Sequence, residues 1–212
     1  YTRQCSATRA RRHGPTQADL PGRQFVVCVQ NHDQVGNRKF GERLGALVGF
    51  EAQKLAAATV LLSPYTPLLF MGEEYAEPAP FQYFVDFADP GLAEAVRRGR
   101  KEEFGLHGGD DPPDPQAEAT FRRSALDRDL RHGGKHAVMW AFYRELLRLR
   151  RTTPALRAPD KERMRVTPFP EHRTLVAERW DGDDEVVVAL NYSDRPADVR
   201  LQLRDGVWDR LL

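Results

Sequence analysis

Three short stretches carry side chains that could do chemistry. Asn31-His32-Asp33 follows the apolar run Gln24–Gln30 (QFVVCVQ). Gly72-Glu73-Glu74 follows a second apolar run, Leu68-Leu69-Phe70-Met71, and Phe81-Gln82-Tyr83-Phe84 comes soon after. A carboxylate and an imidazole side by side at the end of a buried strand could grip a polyhydroxylated substrate, because a carboxylate accepts hydroxyl hydrogen bonds and charge-assisted bonds are the stronger kind. The same carboxylate could stabilise positive charge developing at a nearby carbon. The residues alone leave other uses open. Asn and Asp favour helix caps and Asx turns. Glu73 and Glu74 could be exposed carboxylates at a helix start, favoured there by the dipole. The aromatic run could stack on a sugar or fill a core. No Cys/His cluster has ligand spacing, so no metal site is expected.

The elements that must position these groups read as follows. Gln24–Gln30 has the near-continuous apolar character of a parallel-sheet strand buried on both faces. Phe50–Leu62 is rich in Ala and Leu and stops before Ser63-Pro64, as a helix would. Leu68–Met71 is a second strand. Strand, polar loop, helix, strand, polar loop is a β/α repeat, which implies a parallel sheet or barrel. If the sheet closes into a barrel, the polar loops sit at the strand ends where such folds build their sites. Pro90–Phe104 reads as a charged surface helix and 105–117 as a Gly/Pro-rich loop. Residues 136–151 predict a helix with Met139, Phe142, Leu146 and Leu149 on one stripe and Tyr143 and Leu147 beside it. Pro154 prevents its continuation. The period then changes to two. Thr174–Trp180 and Glu185–Asn191 flank the turn Asp181-Gly182-Asp183-Asp184, a hairpin signal. Ala197–Leu203 alternates as a further strand. An α/β part, 1–155, is thus followed by an antiparallel β part, 156–212.

Bulk properties exclude several classes. The 212 residues carry 32 Lys+Arg against 31 Asp+Glu, so the net charge of +1 gives no sign of a polyanionic partner. Residues 1–23 are basic and irregular, with Arg9, Arg11, Arg12 and His13, and read as a solvated loop. A nucleic-acid-binding arm there is disfavoured, since no aromatics interleave. The longest apolar run, Leu55–Leu62, falls far short of the roughly 20 residues that cross a bilayer. Two cysteines, Cys5 and Cys28, make no disulfide framework. With no signal peptide visible, a cytoplasmic location is expected.

Phe25–Asp33 resembles the seventh-strand motif of the α-amylase family of glycoside hydrolases, in which Asn-His-Asp ends the strand. Gln34-Val35-Gly36-Asn37-Arg38, the run Leu62–Tyr75 and Pro80–Phe84 narrow the resemblance to the malto-oligosyltrehalose trehalohydrolase group within it. Arg11–Gly14, Asp114-Pro115-Gln116, Phe121, Ser124 and Leu126 are similar to that group as well. The resemblance implies the last part of a (β/α)8 barrel, strands 7 and 8 with their helices, over 1–155. It also implies a truncated antiparallel β-sandwich domain over 156–212. It makes Asp33 the third catalytic carboxylate, stabilising an oxocarbenium-like transition state. His32 would bond the same sugar's hydroxyls. Asn31, Gln34, Arg38, Glu74, Phe81 and Tyr83 become substrate-binding candidates, Phe81 or Tyr83 lining the trehalose-accepting subsites. The implied reaction is hydrolysis of the α-1,4 bond beside the trehalose end of maltooligosyltrehalose or a related α-glucan.

The nucleophile and general acid of such a reaction would belong to strands four and five, ahead of Tyr1. Glu73, Glu74 and Asp86 match the eighth strand and its loop instead. The chain starts with Tyr and stops at Leu211-Leu212 without a polar tail, so it reads as a piece of a longer protein. Such a piece is expected to be inactive and poorly folded alone, needing the earlier part of its own barrel. A branching or debranching relative, or a non-catalytic carbohydrate-binding fragment, are the competing readings.

Overall fold

A computed structural model of the chain describes residues 5–6, 11–12, 19–105 and 110–212. Most of the basic segment before Asp19 therefore lies outside the described residues. Of that segment only a two-residue antiparallel backbone pairing is described, β1 (Cys5–Ser6) with β2 (Arg11–Arg12).

The β/α/β unit is present in reduced form. A 3-10 turn, Gly22–Gln24, leads into β3 (Val26–Val27), which pairs in parallel with β4 (Thr66–Pro67). The Thr66 N–H donates to the Phe25 carbonyl at 2.9 Å and the Leu68 N–H to Val27 at 2.8 Å. Between the strands lie the short helices α1 (His32–Gly36) and α2 (Leu44–Leu47), then α3 (Phe50–Leu61). Two expectations are corrected here. The first strand is two residues long rather than Gln24–Gln30, and it is not buried on both faces, since Val26 is 63% exposed. The second strand is Thr66–Pro67, just before the apolar run Leu68–Met71. Each strand has one hydrogen-bonded neighbour among the described residues, and a ladder extends only where backbone groups find partners.

Helix α3 is followed, beyond β4, by the charged surface helix α4 (Pro90–Gly105), of which only Ala93 is buried, and by α5 (Glu118–Arg123). Helix α6 (Gly134–Thr152) is the long amphipathic one. Its buried stripe is Met139, Tyr143, Leu146 and Leu149, so Tyr143 takes the place expected for Phe142, which is half-buried. Thr153 ends α6 and precedes Pro154, the first residue of α7 (Pro154–Arg157), where a proline's missing N–H is harmless.

Three antiparallel strands follow: β5 (Met164–Phe169), β6 (Thr174–Asp181) and β7 (Asp184–Asn191), in the order β5-β6-β7. The β6–β7 hairpin matches the sequence reading, closing at the pair Asp181/Asp184 with Gly182 at φ 62°. Strand β5 was hidden in the sequence by Pro168, which a strand tolerates at a sheet edge, where β5 lies. Ala197–Leu203 is not a strand. Its alternation survives as burial, with Ala197, Val199 and Leu201 half-buried and their neighbours exposed, but no strand among the described residues pairs with it.

One core joins these parts. Ala57, Leu61 and Leu62 of the α3 end, Met139, Tyr143, Leu146 and Leu149 of α6, Leu156 of α7, and Val188 and Leu190 of β7 form a single buried cluster. Two arginines fasten it, Arg179 buried and Arg150 half-buried. Arg150 of α6 donates to the carbonyls of Leu61 (2.7 Å), Ser63 (2.6 Å) and Tyr65 (2.5 Å). Arg179 of β6 donates to Leu62 (2.8 Å) and Ala158 (2.6 Å). The last carbonyls of a helix have no partner within it, and a cation suits that negative end. Burial, and then the neighbouring Arg150, push Arg179 down to about 10, so it stays charged at neutral pH.

Replacing Arg179 by Met would keep the bulk but leave two buried carbonyls unpaired. At roughly 1–3 kcal/mol each, Arg179→Met should lower stability by about 2–6 kcal/mol in urea unfolding. A loss below about 1 kcal/mol would contradict this role.

Candidate active site

The Asn31-His32-Asp33 stretch is the start of α1. Asn31 has extended backbone, and its side-chain oxygen accepts the Gln34 N–H at 2.9 Å, which makes it the helix N-cap. The cap gives Asn31 a structural job and aims the next two side chains outward. His32 Nε2 lies 3.3 Å from an Asp33 carboxylate oxygen, and the two side chains are 72% and 73% exposed. Gln34 and Arg38 are exposed on the same short helix and the turn after it. The inward residues, Val35 and Gly36, are buried.

The second loop begins at Gly72, whose φ of 89° suits glycine, and forms a 3-10 turn, Glu73–Tyr75. Here the two glutamates separate. Glu74 is half-buried, while Glu73 points inward and is buried. Glu73 accepts from Gln30 Nε2 at 3.3 Å and from the Tyr143 hydroxyl at 3.4 Å. Burial outweighs these bonds and pushes its carboxyl up to about 7. Burial likewise holds the Tyr143 hydroxyl in its protonated form. Glu77, also buried, accepts from the Tyr75 hydroxyl (3.0 Å) and from the Ala79 (2.8 Å) and Asp127 (2.9 Å) N–H groups. Burial, followed by the bond to Glu77, pushes Tyr75 up to about 12. Arg43, only 3% exposed, donates to the carbonyls of Ala79 (2.6 Å) and Met71 (2.7 Å) and lies over the Phe70 ring at 4.9 Å.

The aromatic run joins the two loops. Phe81 packs edge-on against Phe70 (5.3 Å) and Phe84 (5.8 Å), and Phe84 against Phe121 (5.2 Å). Its N–H donates to the Gly41 carbonyl at 2.8 Å. Gly41 has φ 68°, and a Cβ there would lie 2.4 Å from the Phe81 carbonyl oxygen, so this approach requires glycine. Tyr83 is exposed, with Arg100 of α4 at 4.8 Å from its ring centre. The same Arg100 donates to the carbonyls of Gly36 (3.4 Å) and Arg38 (3.3 Å). The structure thus draws the α1 segment, the Glu73 turn and the Phe81–Phe84 segment together. No group of His, Cys, Asp and Glu able to hold a metal ion occurs among the described residues. None of their helices is long and apolar enough to cross a membrane.

No protein-family model matches the chain. Curated proteins do match. Over 148 residues it is 49% identical to the malto-oligosyltrehalose trehalohydrolase of Deinococcus radiodurans, a match covering 68% of this chain and 24% of that protein. Over 160 residues it is 48% identical to the protein of the same name from Arthrobacter ramosus (74% and 28% covered). Over 195 residues it is 37% identical to that of Mycobacterium tuberculosis (90% and 33% covered). The chain belongs to the malto-oligosyltrehalose trehalohydrolase family. It spans about a quarter to a third of the length of these relatives. Among solved structures, one described as an alpha amylase from Salmonella typhimurium superposes with a TM-score of 0.82 at 39% identity. That match covers 95% of this chain and 35% of the other.

The sequence pattern singled out exposed groups and passed over the buried and half-buried ones packed beneath them. Gln30, Arg43, Glu77 and Arg100 carry no periodic signal; each has at least one partner far off in the chain. Only Gln30, a polar residue closing an apolar run, offered a hint.

Glu73 gives a test. Unfolded, its carboxyl titrates near the ordinary 4.5; folded, at about 7. Between those values the folded protein keeps a proton that the unfolded chain has lost, so stability falls as pH rises through this window and stays lower above it. At about 1.4 kcal/mol per pH unit, the fall is on the order of 3 kcal/mol. Glu73→Gln should lose it and be the more stable protein at about pH 8. Parallel denaturation curves for the two proteins from pH 5 to 8 would contradict the assignment.

Proposed function

We propose that the chain is part of a glycoside hydrolase that cleaves the α-1,4 bond next to the trehalose end of maltooligosyltrehalose, releasing trehalose. The observation that carries the reading is the exposed Asp33/His32 pair, set at the start of a capped helix behind a parallel strand pair in a chain so close to the trehalohydrolases. In this reading residues 1–155 are the last portion of a (β/α)8 barrel and 156–212 part of a C-terminal β domain. Val26, Leu68 and Met71, apolar and exposed, support it: barrel strands would meet neighbours there.

Asp33 is assigned to the sugar at the scissile bond. A fixed carboxylate stabilises the positive charge of an oxocarbenium-like transition state without having to reorganise. The cap by Asn31 holds it in place. His32 bonds hydroxyls of the same sugar, and Gln34, Arg38, Glu74, Phe81 and Tyr83 line the approach, with Tyr83 the exposed aromatic face. The nucleophile and the general acid come from residues outside this chain, so the chain alone is inactive. No step needs a metal or an organic cofactor.

Kinetics of an enzyme of the relatives' length carrying this chain test the roles. Asp33→Asn should fold normally and lose about 10²-fold or more in kcat, the scale for one transition-state stabiliser. His32→Ala should both raise KM and lower kcat, because its bond is made in ground and transition states alike. Turnover near wild type in both variants would remove this turn from the active site.

A further inference from the structure

We propose that Glu73 is a positioning residue for the Asn31–Asp33 turn, acting through the side chain of Gln30. The inference rests on the role proposed above for that turn and adds the group that holds it. Gln30 directly precedes Asn31, and its side chain closes the segment that follows. Its Oε1 accepts the N–H of Leu44, the first residue of α2, at 3.0 Å, while its Nε2 donates to Glu73 at 3.3 Å. One amide therefore ties the start of the 31–43 segment to its end. The carboxylate fixes which way round that amide lies, because an ionised carboxylate only accepts and a backbone N–H only donates. The third contact, from Tyr143, anchors Glu73 to α6, the helix at the centre of the core.

The charge state of Glu73 changes the grip. As a carboxylate it receives both donors in charge-assisted bonds, roughly twice as strong as neutral ones. Protonated, its O–H must find an acceptor; the Tyr143 oxygen can serve, but Gln30 Nε2 cannot. The groups around it are few. Glu74 lies beside it on the same turn, Gln30 comes from the strand side, Tyr143 from α6, and Arg43 and Glu77 line the same small cavity of about 20 Å³. A cavity of that size holds about one water, so bulk solvent does little to stabilise the charge. The grip on Gln30 accordingly strengthens as pH rises through neutrality, and the Asp33 turn with it.

The test compares wild type with Glu73→Gln in the enzyme of the relatives' length, assayed for trehalose release from maltooligosyltrehalose across pH. The ratio of wild-type to variant kcat should climb from near one at about pH 5.5 to about tenfold at about pH 8.5, with KM within about twofold, because misplacing a catalytic group costs turnover. A ratio that stays constant with pH would overturn the inference, since a merely structural role gives no such dependence. Should Glu73→Gln fold poorly, Tyr143→Phe serves. It removes a donor that favours the ionised form, so it should move the same limb of the profile to higher pH. An unmoved limb counts against the proposal. If the wild-type enzyme releases no trehalose, the functional reading fails on its own. The positioning is then read without substrate, from crystals of the wild type at the two pH values. A longer Gln30–Glu73 contact and a shifted Asp33 at the lower pH support it; superposable turns overturn it.

Discussion

The carboxyl end of α3 is the constraint from which the rest of the arrangement follows. A helix leaves its last carbonyls without partners, and here that end is buried. Arg150 and Arg179 both reach it, one from α6 and one from the sheet, and between them take up the carbonyls of Leu61, Leu62, Ser63 and Tyr65. Tyr65 immediately precedes β4, so the same contacts fix where β4 begins beside β3. The strand pair then sets the origin of both polar loops: Asn31 follows the one strand by a few residues and Gly72 the other. The guanidinium suits this task because its planar fork donates in several directions and keeps its charge under burial.

From that frame the chain arranges its candidate site in two tiers. The outer tier is His32, Asp33, Gln34, Arg38 and Tyr83, all exposed. The inner tier is Gln30, Arg43, Glu73, Glu77 and Tyr143, all buried, with Gln30 and Tyr143 both bonded to Glu73. The inner tier is costly to the fold, since a carboxyl held near pH 7 opposes stability in its charged form. Strain of this kind gathers where side chains must be held in one place. Arg100 and Gly41 perform the corresponding task on the other side, binding the α1 turn to the Phe81–Tyr83 segment.

Much of this was legible in the residues, unevenly. Helices α3, α4 and α6 and the β6–β7 hairpin announce themselves by period or turn chemistry, which are local properties. Strand lengths did not follow, because a strand exists only with a partner: QFVVCVQ shortened to Val26–Val27, and Ala197–Leu203 kept its alternation without a ladder. Pro168 and Arg165 disguised β5. For the site, the Asn-His-Asp turn stood out, and the structure bears out the helix-cap reading: Asn31 is a cap, and His32 and Asp33 follow it on the exposed side. The tie between Gln30 and Glu73 spans more than forty residues of chain. Such a pairing leaves no spacing to read.

The measurement that bears most directly on the account is a crystal structure of the longer enzyme, made inactive and soaked with maltooligosyltrehalose. The account places the Asp33 carboxylate and the His32 imidazole within hydrogen-bonding reach, about 3 Å, of hydroxyls on the sugar at the bond to be cleaved. A sugar chain bound elsewhere, with Asp33 and His32 still facing solvent, would contradict it.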